Sequence, residues 1–220
     1  MSTPPDARRY APATERNREP ILAVLQQVLP PTGTVLEISS GTGEHAVFFA
    51  PRLAPRQWLP SDLDPGARAS IAAWRAVAPA SNLHAPIALD AAAPLWPVES
   101  ENFRDLRSEL DLQQHPITAL VNINMIHISA WAACLGLLAG AGRLLPPGGI
   151  LYLYGPYKQN GQHTSPSNAA FDDSLQAQNP EWGVRDLEAV VAAAQVQGLA
   201  LVETIAMPAN NFSVVFRAIA

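Results

Sequence analysis

Along the chain, short β-branched and apolar runs alternate with longer stretches whose apolar residues recur every three or four positions. The first kind reads as buried strands, the second as amphipathic helices. Residues 14–29 put Ile21, Leu22, Leu25, Val28 and Leu29 on one helical face, with Thr14 placed to cap it and Pro30-Pro31 to end it. Pro20 interrupts that pattern and predicts a kinked helix or two short ones. Strands are expected at 34–38, 57–61, 83–89, 118–125 and 150–154. Helices are expected at about 44–53, from Pro65 through Val77, at 101–112 (polar) and at 129–145. Beyond Tyr154 the pattern changes. Residues 155–168, rich in Gly, Pro, Asn, Gln and Ser, predict a long loop suited to binding or to a lid. Helices near 169–178 and 185–197 follow, then strands at 200–206 and 212–218 joined as a hairpin.

Five strands alternating with helices predict a parallel sheet covered on both faces, with the hairpin added at the end. One domain is expected over residues 1–220, with 1–30 as an arm and helix and 31–220 as the core. Ligands of such sheets bind beyond the carboxyl ends of the strands, near the point where strand order reverses. That gathers 39–43, Asp62, Asp90, 122–127 and 154–158 around one crevice.

Composition narrows the function classes. Hydrophobic residues make up 48% and charged residues 15%, which excludes a disordered chain. A net charge of −5 gives no broad basic footprint for nucleic acid. Arg8, Arg9, Arg16 and Arg18 cluster near the start, where a solvated N-terminus is the expectation. The single cysteine, Cys134, excludes an internal disulfide and a cysteine zinc cluster, and reads as a small buried residue. The five histidines show no His-x-x-x-His pair, and Asp172 and Asp173 read as a solvated helix start, so no metal site is expected. No secretory signal or membrane-length apolar run is evident, so a cytoplasmic protein without membrane contact is expected.

The most informative stretch is Thr34-Val35-Leu36-Glu37-Ile38-Ser39-Ser40-Gly41-Thr42-Gly43-Glu44-His45-Ala46. It reads as strand, small-residue turn and helix, a turn that lets the backbone approach a nucleotide closely. Gly41 to Ala46 also fits the dinucleotide fingerprint, which keeps an NAD(P)-dependent oxidoreductase as an alternative. Glu37 argues against it, because a carboxylate four positions before Gly41 repels a diphosphate and attracts a cation. Asp62, at the end of the second strand, can accept from both ribose hydroxyls, with Asp64 the fallback or a helix cap. Asp90 suits the exocyclic amine of adenine, or a simple Asp turn.

Residues 35–43 resemble the first motif of class I S-adenosylmethionine-dependent methyltransferases, E/D-x-G-x-G-x-G, with Ser39 where the first glycine is usual. The wider chain resembles the "domain of unknown function 938" or methyltransferase-like 26 group, through residues 13–21, 36–45, 58–62, 122–127, 155–157 and 208–211. The resemblance implies a doubly wound, mostly parallel seven-strand α/β sheet of Rossmann-like methyltransferase type, with an antiparallel last strand and an N-terminal helical cap. It implies S-adenosylmethionine as cofactor. Glu37, Ser39, Gly41 and Gly43 would hold the methionine end, Asp62 and Leu63 the nucleoside, Asp90 and Ala91 the adenine, and Asn122 the end of strand four. Arg16 and Asn17 would close over the cofactor, Arg16 as a carboxylate partner.

For chemistry, His127 and Tyr157 are candidate bases, each with a packing role as the alternative. Strand four carries Asn122-Ile123-Asn124-Met125 in place of the Asp/Asn-Pro-Pro-Tyr motif, which with the acidic charge favours a small-molecule acceptor over nucleic acid. Trp182, Arg185, Asn210 and Asn211 are candidate pocket residues. A protein that binds the methyl donor or its product without catalysis is a further reading, and the oligomeric state stays open.

Overall fold

The computed structural model describes residues 6–100, 103 and 110–219. A seven-stranded sheet has the order β3-β2-β1-β4-β5-β10-β9. β1 (Thr34–Ile38) lies between β2 (Gln57–Asp62) and β4 (Ile117–Ile123), parallel to both. β3 (Ile87–Ala88) and β5 (Ile150–Gly155) extend the parallel set. β10 (Asn211–Ala218) runs antiparallel to both of its neighbours, β5 and β9 (Leu199–Met207). The order reverses between β1 and β4, which opens a crevice at their carboxyl ends.

All five residues of β1 are buried, and alternation sends them to two cores. Leu36 and Ile38 face one with Leu137, Leu138 and Val190, from α4 (Trp131–Leu144) and α6 (Leu187–Val196). Val35 faces the other with Ile21, Leu25 and Phe49, from α1 (Pro12–Val28) and α2 (Glu44–Arg52). Glu37 shares the Val35 face. α3 (Pro65–Val77) opens with Asp64 capping the Gly66 and Ala67 amides.

Several expectations are corrected. α1 is one helix through Pro20 and starts at Pro12, so Thr14 sits buried inside it. The Ala11 amide at its start donates instead to Glu44 Oε2 at 2.6 Å. Two of the N-terminal arginines, Arg8 and Arg9, are docked on α3. Arg9 pairs with Asp64 at 2.7 Å, the Trp74 indole donates to the Arg9 carbonyl at 3.0 Å, and Arg8 stacks over Trp74. The third strand is far shorter than expected, because Pro86 has no N–H to give the ladder. The chain touches β2 at Leu83, leaves, and rejoins it at Ile87. β4 ends at Ile123 because Asn124 turns left-handed, φ 65°, and a short 3₁₀ turn follows.

The expected 155–168 loop is folded. β6 (Tyr157–Gln159) and β7 (Gln162–His163) form a hairpin whose two-residue turn is Asn160-Gly161, both with positive φ. Asn-Gly suits that turn, because both residues tolerate left-handed backbone. β8 (Arg185–Asp186) joins β6 in parallel. Ser165 caps α5 (Pro166–Gln178), three residues ahead of the expected start. Asp172 is buried, not solvated, and takes Lys158 at 2.8 Å, His163 at 3.2 Å and the Val184 amide at 2.8 Å. That cluster fixes α5 against the small sheet. The expected polar helix at 101–112 lies largely outside the described residues. No helix among the described residues is long and apolar enough to cross a membrane.

Candidate functional site

The ends of β1 and β2 are knitted by small residues. Ser40 donates its amide to the Ser61 carbonyl and receives the Ser61 amide on its hydroxyl, while the Ser61 hydroxyl donates to the Glu37 carbonyl at 2.7 Å. The turn between β1 and α2 is left-handed at alternate positions: Ser39 φ 56°, Gly41 φ 59° and Gly43 φ 89°. A serine at such a φ costs about 1 kcal/mol relative to glycine, which explains why glycine is usual in the motif at Ser39. The two glycines differ. A Cβ on Gly43 would meet the Ile71 backbone at 2.8 Å, whereas one on Gly41 would meet nothing within 4 Å. Gly43 therefore serves helix packing, and Gly41 presents bare backbone to the crevice.

Two carboxylates flank this turn. Glu37 is 2% exposed and accepts from the Trp58 indole at 2.9 Å. Burial pushes its carboxyl up to about 7, against hydrogen bonds from Trp58 and Ser40, and the charge of Asp62 pushes the same way. No cation among the described residues pairs with Glu37. Asp62 accepts from the Gly41 amide and the Asp64 amide, both at 2.9 Å, so it shapes the turn and keeps acceptor capacity. Leu63 stands 59% exposed beside it. Asp90 is exposed and turns the chain by accepting from the Ala92 amide at 2.9 Å. Ala91 is buried beneath it, its carbonyl against Gly136 of α4. Asn122 donates to the Ile38 carbonyl at 2.9 Å, and its buried Oδ1 has no partner.

Beyond β4 and β5 lies a pocket of about 650 Å³, within the range of small-molecule sites. α1 contributes Ala13, Arg16 and Asn17. The strand ends contribute Asn124, Tyr154 and Pro156, with Ile128 beside them. Ser167, Asn168 and Phe171 come from α5, and Pro208, Ala209 and Asn211 from the β9–β10 turn. Asn17 is tied to His45 at 2.8 Å, and the Tyr154 phenol to Asn17 and Asn211. Burial lowers the His45 imidazole to about 4, so it bonds as a neutral ring.

The two candidate bases do not reach this pocket. His127 has no exposed surface, packs edge-on against Tyr157, and lies so close behind Gly155 that a Cβ there would collide with its Nε2. Burial lowers its imidazole to about 3. Tyr157 is equally buried, which raises its phenol well above the ordinary value. Both belong to the interior. Asn211 lines the pocket, but Trp182, Arg185 and Asn210 do not. Arg185 instead ties the Ile126, Ser129 and Glu181 carbonyls together. Asn124 falls in the 122–127 stretch expected at the crevice, whereas Asn168 and Phe171 were not expected in the pocket. The Ser165-Pro166 helix start is the sequence signal that points to the two on α5.

Residues 8–218 match the model of the family described as a protein of unknown function, DUF938. The chain belongs to that family. Among solved structures it is similar to an O-methyltransferase family protein from Burkholderia thailandensis, with TM-score 0.72 and 13% identity, over 94% of this chain and 58% of that one. An O-methyltransferase family 2 protein from Planctomyces limnophilus, solved with apigenin, matches with TM-score 0.68 and 16% identity, over 93% and 62%. Human N-acetylserotonin methyltransferase, solved with SAM, matches with TM-score 0.69 and 13% identity, over 94% and 53%. The chain thus spans between about half and three-fifths of the length of these proteins. At these identities the likeness is one of fold, a Rossmann-like methyltransferase sheet.

Proposed function

We propose that this DUF938 chain is an S-adenosylmethionine-dependent methyltransferase acting on a small-molecule acceptor. The observation that carries the reading is Glu37, a buried carboxylate with no cationic partner among the described residues, at the base of a turn whose Gly41 is bare toward the crevice. A buried anion of this kind is costly until a cation compensates it. A sulfonium nucleoside with an ammonium group fits, because it brings positive charge to Glu37 and ribose hydroxyls to Asp62. A dinucleotide would bring a diphosphate between two carboxylates. The solved relatives of the same fold, one of them bound to SAM, support the choice.

In this reading Glu37 faces the ammonium end, Ser39 to Gly43 form the backbone cradle, and Asp62 takes the ribose. Leu63 covers the adenine face, Asp90 and Ala91 meet its edge, and the free Oδ1 of Asn122 closes the inner wall. The cofactor supplies an activated methyl group. The chain supplies alignment and a low-dielectric surround, which suffice for an in-line displacement. Arg16 and Asn17, which share a pocket with Asn124 and Phe171, are assigned to the acceptor side. Calorimetric titration with S-adenosylmethionine, S-adenosylhomocysteine and NAD tests the reading. Both sulfur ligands are expected to bind; binding of NAD alone would sink it.

A further inference from the structure

The acceptor-side pocket has an unusual charge inventory. Among the described residues that line it, Arg16 is the one ionisable group apart from the Tyr154 phenol. No aspartate, glutamate, lysine, histidine or cysteine lines it. Arg16 is exposed and has no ion pair or hydrogen bond among the described residues. Many of the neutral donors are already committed. Both Asn168 Nδ2 bonds go to Thr164 Oγ1 and the Asn210 carbonyl, and Asn211 Nδ2 goes to the Pro208 and Ala209 carbonyls. Five guanidinium N–H donors are therefore the main unspent polar resource. Ile128, Pro156, Phe171 and Pro208 make the rest of the wall apolar.

From this we propose that the pocket takes an organic anion as methyl acceptor, its negative charge on the atom that attacks, with Arg16 as the counter-charge. The inference rests on the methyltransferase reading above. Two arguments carry it. First, a cationic acceptor would meet Arg16 and no carboxylate, whereas an anion meets a guanidinium in a partly apolar cleft. Second, nothing in the lining can remove a proton at neutral pH. Tyr154 is buried, which raises its phenol, so it stays protonated. The neighbouring titratable groups are accounted for: His127 lies behind Gly155, His45 is neutral against Asn17, and Asp172 is held by Lys158. An alcohol or ammonium acceptor needs a base; a thiolate, carboxylate or acidic phenolate arrives without the proton. In the transfer, a lone pair on that atom forms the new bond to the methyl carbon as the carbon–sulfur bond of the sulfonium donor breaks. That bond's electron pair stays on sulfur as a thioether. The anion and the sulfonium cancel each other's charge and no proton moves, so the step needs no base.

The test is calorimetric titration of the full chain, saturated with S-adenosylhomocysteine, with three probes of one shape: benzoate, benzamide and benzylamine. Benzoate is expected to bind at least about tenfold more tightly than benzamide, with benzylamine weakest. Arg16→Gln is expected to bring benzoate down to the benzamide level, and Arg16→Lys to restore part of the preference. In Glu37→Gln, which removes the crevice carboxyl that titrates at about 7, benzoate affinity should stay flat from about pH 6 to about pH 9, since benzoate is ionised throughout and the lining holds no group titrating there. Tightest binding by benzylamine, a preference that survives Arg16→Gln, a step in the Glu37→Gln affinity across that pH range, or no binding of any probe would each overturn the proposal. Loss of S-adenosylhomocysteine binding in Arg16→Gln would assign Arg16 to the cofactor and overturn it too. Should the unsubstituted chain fail to bind S-adenosylhomocysteine, the functional reading falls, and the anion preference is then read on the chain alone.

Discussion

The β1–β2 side of the crevice draws Glu37, Ser39, Gly41, Gly43 and Asp62 from two adjacent strands and the turn from β1 into α2, while the pocket beyond β4 and β5 draws its lining from five separate segments between Ala13 and Asn211. The first side concentrates constraint: a buried carboxylate, left-handed backbone at three positions, and a glycine pressed against α3. The second is built of neutral amides, prolines and a half-exposed phenylalanine around one arginine. On the proposed function, the side that would grip a fixed nucleoside is compact in sequence and rigid, and the side that would take the acceptor is shaped by the elements that rim it.

The largest effect expected from this contrast lies within the turn. Gly43→Ala should destabilise the fold by about 3 kcal/mol or more, from left-handed strain plus overlap with Ile71. Gly41→Ala should cost about 1 kcal/mol, because its Cβ meets open space, yet should weaken S-adenosylhomocysteine binding. Urea denaturation of both variants, with ligand titration, reads the difference; equal destabilisation would remove the distinction between them.

Glu37 gives the next effect, on the order of 3 kcal/mol. Its folded carboxyl titrates at about 7 against an ordinary 4.5 because of burial. The folded chain therefore holds the proton more tightly than the unfolded chain, and stability from this group is present below about pH 4.5 and lost as pH rises to about 7. Glu37→Gln should thus be more stable than the parent at pH 8 without ligand, and bind S-adenosylhomocysteine worse. Thermal denaturation across pH, with and without ligand, checks both signs. A variant less stable at pH 8 would show that the carboxylate is compensated within the chain.

Asp62→Ala should weaken S-adenosylhomocysteine binding by about 1–3 kcal/mol through lost charged hydrogen bonds. An unchanged affinity in a folded variant would withdraw the ribose assignment. On the other side of the crevice, Phe171→Ala should change stability by less than about 1 kcal/mol, whereas Phe49→Ala, at a fully buried position, should cost about 3–5 kcal/mol. A large loss at Phe171 would mean that the acceptor side is as tightly packed as the core.

Much of the first side is legible in the amino-acid sequence. Glu37, the glycine turn and Asp62 follow one another on strand–turn–helix signals, and local backbone chemistry alone asks for them. The Asn160-Gly161 turn and the Ser165-Pro166 start are equally local, yet the polar composition around them reads as an unstructured loop. The candidate bases illustrate the opposite case. His127 and Tyr157 stand at the ends of strands beside the crevice, and sequence position does not say which way a strand-end side chain turns. Asn124, by adopting φ 65°, redirects the chain so that His127 faces inward behind Gly155.

What the sequence determined by itself was the alternation of strands and helices and the turn from Glu37 to Gly43, because each rests on residues close together in the chain, and the family, whose matching segments run from residue 13 to residue 211. Tertiary structure alone decided which carboxylate lost its solvent, that His127 became a neutral core residue, and that Arg16 of α1 meets Phe171 of α5 and Asn211 of β10 around one pocket. Burial and long-range approach depend on how every layer packs, and no local pattern carries that information.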